Sequence, residues 1–270
     1  MKVIMKRIFI LTILFSSIFG IINAQVETHY YEKGGTPNLR HSISKSIMVK
    51  RMPAFDIEKV KEENVEKDVK TGLCHFGKGF DVSYTLADGI WEDAEGGRLW
   101  TMAFESPGAL SLNFVFDDFF LPEGAELYVT NEDESVVFGP VTHEALYENG
   151  HFLTDIISGS HATISLFESF ECLGQSTLTI KRVVHGYIDG FVSQNYSSGT
   201  RSQYTYDSPN VACYSNYEEV SDGVGLIMTS DGGALGTGSL VMTTDYSFKP
   251  YFLTSYFFID RNDDGTISYT

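Results

Sequence analysis

The sequence has few basic residues, few prolines and few tryptophans. Its 270 residues contain 19 Lys and Arg against 36 Asp and Glu, which gives a formal net charge of −17. So acidic a surface repels nucleic acid and anionic membranes, so the composition argues against partners of either kind. There are 7 prolines and 2 tryptophans, but 20 phenylalanines, 15 tyrosines and 25 glycines. Many aromatics and glycines are typical of short strands joined by turns.

Long apolar runs are missing except at the N-terminus. Two lysines and one arginine precede an apolar run over Ile8–Ile22, and Ala24 supplies a small residue at its end. This order is typical of a secretory signal peptide. A membrane anchor is the alternative, but the run is shorter than the roughly 20 residues that cross a bilayer, and no basic stop-transfer segment follows. We therefore predict a signal peptide over residues 1–24, a secreted, periplasmic or cell-surface location, and no membrane span after cleavage.

Cysteine is also scarce, and its number is odd. Cys74, Cys172 and Cys213 all follow the predicted signal peptide, which places them in a compartment where disulfides persist. Three thiols allow at most one internal disulfide and leave one thiol over. The sequence alone does not choose the pair.

What the middle of the chain does have is a set of strand patterns. Six segments alternate apolar with polar residues or are rich in β-branched and aromatic ones, and Gly, Pro and Asn turn signals separate them. The spacing predicts a mainly β protein with an antiparallel β-sandwich over residues 71–191. The six segments are Phe80–Leu86, Arg98–Phe104, Ser111–Phe116, Glu126–Thr130, Ala162–Phe167 and Ser176–Val183.

The segments on either side of the predicted sandwich are polar. Residues 25–70 form a charged leader in which apolar residues recur at roughly helical spacing after Asp56, a good N-cap, so we predict one short helix there and otherwise loose packing. Residues 192–208 are rich in Ser and Thr, which predicts a linker open to proteolytic cleavage, with Arg201 as one candidate position. Residues 209–270 then form a further unit.

Two groups of side chains in the sandwich are candidates for binding. Trp91, Trp100 and Tyr128 fit either a sugar-binding face or the hydrophobic core, and at strand spacing the core is the commoner place for an aromatic side chain. The histidines at 143, 151, 161 and 185 show no metal-ligand spacing. We expect them to be exposed or satisfied by hydrogen bonds.

One C-terminal stretch links the chain to a known family. Gly236–Asp260 contains Gly-Thr-Gly-Ser-Leu and then Tyr-Phe-Leu-Thr-Ser, and it resembles the strand and turn that carry the catalytic histidine in secreted trypsin-like serine endopeptidases of the lysyl endopeptidase type. In this chain Phe257 stands where the family has that histidine. Phe258 stands where the family has the neighbouring cysteine.

The sandwich resembles the pro-region of the same peptidases. The likeness rests on an ordered set of segments, and Pro209–Tyr214 then resembles the start of the mature catalytic domain. The resemblance implies that residues 209–270 are the first part of a trypsin-like β-barrel, and that the partner of the sandwich is the downstream catalytic domain of the parent protein. The pro-region segments are Phe55–Glu58, Gly108–Phe116, Leu121–Val129, Phe138–Thr142 and Arg182–Tyr187.

The residues needed for serine protease chemistry are not in this chain. A catalytic triad needs a serine, a histidine that takes its proton and an acid that orients the imidazole. No histidine follows His185, and no Gly-Asp-Ser-Gly-Gly loop is present. We therefore assign no catalytic residue, expect the chain itself to be non-catalytic, and expect protein substrates only for a full-length parent enzyme.

A candidate calcium loop lies at the C-terminus. Asp260, Asn262 and Asp264 occupy positions 1, 3 and 5 of an EF-hand-like loop, and Gly265 occupies position 6. The acidic ligand of position 12 would follow Thr270, so the loop is incomplete. The alternative is a simple Asp-Asn-Gly turn without metal. We require no other cofactor.

Two functions of different classes remain open from the sequence. The chain is either the N-terminal part of a secreted trypsin-like serine endopeptidase precursor, or a stand-alone exported β-sandwich that binds or adheres and carries a relic protease tail. The first explains more of the residues.

Overall fold

The structure is a computed structural model that describes residues 26–32, 48–71, 74–145, 149–188, 223–241 and 251–255. Over these residues the chain is mainly β with antiparallel sheets, as the sequence predicts. The predicted signal peptide, the linker over residues 192–208, Phe257 and the candidate calcium ligands Asp260, Asn262 and Asp264 lie outside the described residues.

Each of the six predicted strand segments is a strand in the structure. Further strands lie between them and at both ends. The strands are β1 Thr28–Tyr30, β2 Val49–Arg51, β3 Cys74–His75, β4 Gly77–Thr85, β5 Ile90–Ala94, β6 Gly97–Glu105, β7 Ser111–Phe120, β8 Ala125–Asn131, β9 Val136–Val141, β10 Phe152–Leu153, β11 Ile157–Ser158, β12 His161–Ser169, β13 Thr177–Gly186, β14 Val224–Met228, β15 Gly233–Val241 and β16 Tyr251–Thr254.

Two of the sheets form the sandwich. The first has the order β1-β9-β8-β12-β6-β2, with β5 also paired to β6, and the second has the order β10-β7-β13-β4, with β11 also paired to β7. Every pair in them is antiparallel except β2 with β6. None of the sheets closes into a barrel among the strands described.

The core lies between these two sheets. Phe104 of β6 in the first sheet and Phe114 of β7 in the second are fully buried, and their ring centroids are 5.0 Å apart. Trp100 is also fully buried, and its indole nitrogen donates to the Leu86 carbonyl at 2.9 Å. Each large apolar side chain buried in this way contributes about 1.5–3 kcal/mol, so the shared core supplies most of the stability of the sandwich.

The leader contributes more to the fold than loose packing. The helix α1 spans Ile57–Thr71, and the Asp56 carboxylate accepts a hydrogen bond from the Lys59 backbone at 3.1 Å, which confirms the predicted N-cap. Strands β1 and β2 join the first sheet, and Met52 is buried in the core. The sandwich therefore takes in leader strands that lie before its predicted start at residue 71, because they cover backbone groups of β9 and β6.

A third, smaller sheet follows the sandwich in sequence. It has the order β14-β15-β16, and β3 pairs with β15 next to it. The two described cysteines, Cys74 and Cys172, are both free thiols. Nowhere in the part of the chain that the structure describes is there a helix long and apolar enough to cross a membrane.

Candidate functional site

The sandwich and the third sheet meet at His75. This residue lies on β3, which connects the end of α1 to β4 and pairs with the start of β15. Asp68 reaches the imidazole from α1, and Asp231 reaches it from the turn between β14 and β15. Asp68, His75 and Asp231 are called the junction cluster below.

The imidazole is held from both sides. The Asp68 carboxylate bonds His75 Nδ1 directly and also accepts from the His75 backbone N–H at 3.0 Å. A carboxylate only accepts, so Nδ1 carries a proton. On the opposite side, His75 Nε2 lies 3.8 Å from Asp231 Oδ2. The His75 and Asp68 side chains are 9% and 14% exposed, whereas that of Asp231 is 55% exposed, so solvent reaches the cluster from the side of the turn.

The charges of the cluster support each other. The Asp231 carboxylate raises the pKa of His75 above its ordinary 6.5; burial of the ring opposes this, and Asp68 adds to the rise. In return His75 holds the pKa of Asp231 well below its ordinary 3.8, and the Thr229 hydroxyl, 2.5 Å away, assists against the opposing effect of burial. The arrangement therefore favours a protonated imidazole between two carboxylates.

Backbone hydrogen bonds fasten the same turn to the sandwich. The Gly232 carbonyl accepts from the backbone N–H of Phe76 at 2.8 Å and of Gly77 at 3.0 Å. Gly232 has φ +95°, and a Cβ there would lie 2.7 Å from the Gly77 carbonyl. Only glycine allows so close an approach without displacing backbone. Ala234 is buried against Phe76 beside this contact.

A second set of polar contacts fixes α1 over β3. Asn64 donates from Nδ2 to the Tyr187 hydroxyl at 2.6 Å, and that hydroxyl donates to the His75 carbonyl at 3.3 Å. Asn64 and Tyr187 are both buried. Because these two hydrogen bonds between buried side chains link α1 to β3, helix and strand keep one relative position. Asp68 is thereby presented to the imidazole.

A cavity of about 230 Å³ opens beside the junction cluster, and its charged lining includes Lys67, Lys78 and Arg182. Lys78 Nζ lies 4.6 Å from the centre of the Phe55 ring, and Arg182 donates to Asp81 at 2.7 Å. Burial, with a contribution from Asp68, raises the pKa of the Cys74 thiol, so it is a poor nucleophile. The cluster is therefore suited to holding a proton between the His75 imidazole and two carboxylates, and it is not suited to nucleophilic attack.

The aromatic candidates do not form an open binding face. Trp100 is in the core, as its strand position predicts. Trp91 packs partly against the core, and the Arg98 guanidinium lies 3.8 Å from the centre of its ring. Tyr128 donates its hydroxyl to Glu126 at 2.9 Å. A sugar would have to displace Arg98 to stack on Trp91.

The histidines singled out from the sequence are dispersed. His151 pairs with Asp117 at 2.5 Å, and His161 lies 3.6 Å from Glu132. His185 is buried and bonds Ser106 at 2.7 Å, but both side chains are closed off from solvent, so this serine–histidine pair cannot meet a substrate. His143 lies in a short 3₁₀ helix. Over the described ranges no group of three or more His, Cys, Asp or Glu is placed to hold a metal ion.

Sequence reasoning did not single out any member of the junction cluster. Asp68 lies in an ordinary acidic helix, and Asp231 lies in an Asp-Gly-Gly turn far along the chain. The one local signal was the Gly232-Gly233 pair, which often marks a close backbone approach.

No family model matches the chain. Among solved structures, an isomalto-dextranase from Arthrobacter globiformis T6, complexed with panose, is similar at 8% sequence identity with a TM-score of 0.20. The match covers 38% of this chain and 22% of that one. A similarity this low indicates neither a shared fold nor a shared function.

Proposed function

We propose that the chain is the N-terminal part of a secreted trypsin-like serine endopeptidase precursor, with the sandwich as its pro-domain, and that the chain itself does not hydrolyse peptides. The observation that carries this proposal is the junction between the sandwich and the third sheet. There β15, in the unit of residues 209–270 that resembles the start of the peptidase, pairs with β3, and His75 contacts Asp231 in the turn before β15.

The contacts at this junction are those that a pro-domain needs. A pro-domain has to recognise the domain that follows it and keep it in one place until maturation. Here Gly233 and Ala234 of β15 add to β3 through backbone pairing, which gives affinity without a deep pocket. The ion pair between His75 and Asp231 then fixes the register of that pairing. Both β15 and β16 lie within residues 209–270, the unit that the resemblance assigns to the partner of the sandwich, and β15 runs from the contact with β3 into the peptidase-like stretch.

The alternative, a stand-alone binding or adhesion module, has less support. Its best surface was the aromatic set, but Trp100 is buried and Arg98 covers the ring of Trp91. The calcium loop at Asp260, Asn262 and Asp264 stays a prediction for the parent protein.

Reading the coding DNA beyond Thr270 is the decisive experiment for a precursor. We expect a Glu codon directly after Thr270, as position 12 of the calcium loop, and further on a Gly-Asp-Ser-Gly-Gly segment in the same or a shifted frame. A stop codon followed by unrelated sequence would overturn the proposal.

The chain as it stands is expected to be inactive in peptidase assays. The buried Ser106–His185 pair is closed off from solvent, and Phe257, at the position of the family's catalytic histidine, has no group that accepts or delivers a proton. Purified protein should therefore cleave lysyl, arginyl and mixed peptides no faster than buffer. The control is the same assay with a serine-protease inhibitor added. Turnover that the inhibitor abolishes would falsify the assignment of no catalytic residue.

A further inference from the structure

In the junction cluster, one proton on His75 decides whether the imidazole attracts or repels the Asp231 carboxylate. With the imidazole protonated, both ring nitrogens donate, and Nε2–H faces the Asp231 carboxylate at 3.8 Å. When the ring loses a proton, Asp68 keeps the one on Nδ1, because its carboxylate contacts that nitrogen directly. Nε2 then presents a lone pair to Asp231, and an attraction becomes a repulsion.

We propose that His75 is a pH-sensitive latch that holds the third sheet against the sandwich while its imidazole is protonated and releases that sheet when the imidazole becomes neutral as the pH rises. This inference rests on the proposed function, for which it supplies the regulation: the pro-domain lets go of the peptidase-like segment as pH rises.

Besides the ion pair, a few backbone contacts and a small apolar cluster hold the third sheet at this point, with Ala234 and Met228 packed against the cluster of Phe76 and Val184. The charge of His75 therefore adds a pH-dependent contribution to a small set of contacts. Strand β3 contributes only a two-residue pairing to β15, between Cys74–His75 and Gly233–Ala234. The Gly232 carbonyl accepts two backbone bonds, and Arg182 donates to the Ser230 carbonyl at 3.3 Å. The turn itself is open to solvent on the Asp231 side. Such a short junction opens locally without unfolding the sandwich.

The other charged groups around the cluster do not replace the latch. Glu63 and Lys67 of α1, Lys78 of β4 and Arg182 of β13 line the same cavity. Lys78 faces Phe55, and Arg182 bonds Asp81. Cys74, next to His75, stays a neutral thiol near neutral pH because burial and Asp68 raise its pKa. The group that titrates against Asp231 is therefore the imidazole.

The direction of the switch follows from the charges. Asp231 and Asp68 raise the pKa of His75 against the effect of burial. The folded chain therefore binds the proton on His75 more tightly than the unfolded chain does. The ion pair between His75 and Asp231 stabilises the fold in full at pH values below 6.5, the ordinary pKa of histidine. This stabilisation is lost as the pH rises through the higher pKa of His75 in the folded chain. The third sheet is thus released as the pH rises and not as it falls.

Hydrogen exchange followed by mass spectrometry on the full chain tests the latch. Protection of peptides spanning residues 74–77 and 229–234 is divided by that of core peptides from β6 and β12, which removes the intrinsic pH effect on exchange. From about pH 6 to about pH 9 we expect this ratio to fall roughly two- to fivefold, the size of one half-exposed ion pair. In His75→Gln, which has no titrating ring, the ratio should be flat.

Two further variants keep the result interpretable. Asp231→Asn changes an exposed side chain, keeps His75, and should lose most of the pH response even if His75→Gln folds poorly. Asp117→Asn removes a histidine–aspartate pair of the same kind, with His151 at 2.5 Å on the sandwich, and should keep the full response. A constant ratio in the wild type, or an equal fall in His75→Gln, overturns the latch. Either result leaves the precursor proposal standing, since the coding DNA decides that one.

Discussion

His185 shows how a single buried side chain ties stability to pH. The ring is 1% exposed, its Nδ1 bonds the Ser106 hydroxyl, and its Nε2 finds no hydrogen-bond partner among the described residues. The Phe55 ring packs edge-on against it at 4.7 Å between centroids. A proton on Nε2 would be enclosed without an acceptor, so burial, with a contribution from Lys78, lowers the pKa of His185 to about 4.

Acid should therefore destabilise the sandwich through His185. The contribution of the neutral His185 ring to the free energy of unfolding is complete above pH 6.5, the ordinary pKa of histidine. It is lost progressively as the pH falls towards the pKa of about 4 in the folded chain. Between neutral pH and about pH 4.5, the wild type should lose about 2–3 kcal/mol more free energy of unfolding than His185→Gln does. Urea unfolding at both pH values measures this difference.

His151→Gln is the matched control for that measurement, because His151 is 60% exposed. The free energy of unfolding of His151→Gln should fall with acid by as much as that of the wild type. An equal acid loss in wild type and His185→Gln would contradict the role of the buried ring.

At the level of single residues, the sequence predicts what is local. Asp56 was recognisable as an N-cap because a cap acts within one turn, and Trp100 as core because aromatic side chains on strands are mostly buried. The partners of His75 were not recognisable, because Asp231 comes from a turn that only the folded topology brings to β3. Contacts of such long sequence separation leave no periodic pattern to read.

The turn that carries Gly232 is the element on which the junction depends. At φ +95° it has a backbone conformation that other residues rarely adopt, and its carbonyl serves two donors on the sandwich. Gly159 has a similar φ of +103°, but nothing lies within 4 Å of the Cβ that it lacks. A side chain at Gly159 would meet only backbone strain, whereas a side chain at Gly232 would meet both strain and a steric clash, so comparing the two positions distinguishes these effects.

Gly232→Ala should open the junction, whereas Gly159→Ala should not. Both alanines carry the cost of positive φ, about 1–3 kcal/mol, but only the first also forces backbone apart, at 2.7 Å from Gly77. We expect chymotrypsin to cut within residues 223–241 of Gly232→Ala at least about tenfold faster than in the wild type. Timed digestion with mass spectrometry measures the cut sites. Equal acceleration in both variants would mean that strain alone, and not contact with the sandwich, governs the turn.

The strands divide into those that the sequence predicts and those that it does not. Long strands such as β6 and β12 carry enough apolar and β-branched residues for their pattern to stand out. Strands β1 and β2 have three residues each, too few for any period, and form because β9 and β6 offer unpaired edges. These two leader strands thus owe their structure to the sandwich and not to their own sequence.

The whole molecule combines a strongly acidic chain with an apolar sheet. Large apolar side chains remain 40% to 65% exposed on the third sheet, and the cross-strand register places Val224, Leu226, Val241, Tyr251 and Leu253 on one face. Contiguous apolar surface of this kind favours association. The net charge of −17 opposes it, because copies of the chain repel one another.

Salt should shift this balance towards association of the chain with itself. Raising the ionic strength from about 0.01 M to about 0.15 M shortens the screening length from about 30 Å to about 8 Å, so the repulsion weakens while the apolar face is unchanged. Sedimentation velocity should show self-association that increases with salt.

Leu226→Lys places a charge on the apolar face and should weaken the association about tenfold, since a buried leucine contributes about 1.5–3 kcal/mol. Leu110→Lys is the matched control, because Leu110 is 43% exposed on the sandwich and Leu226 is 45% exposed on the third sheet. If both lysines act equally, net charge and not the sheet face controls association; if the wild type stays monomeric in high salt, the face is not adhesive.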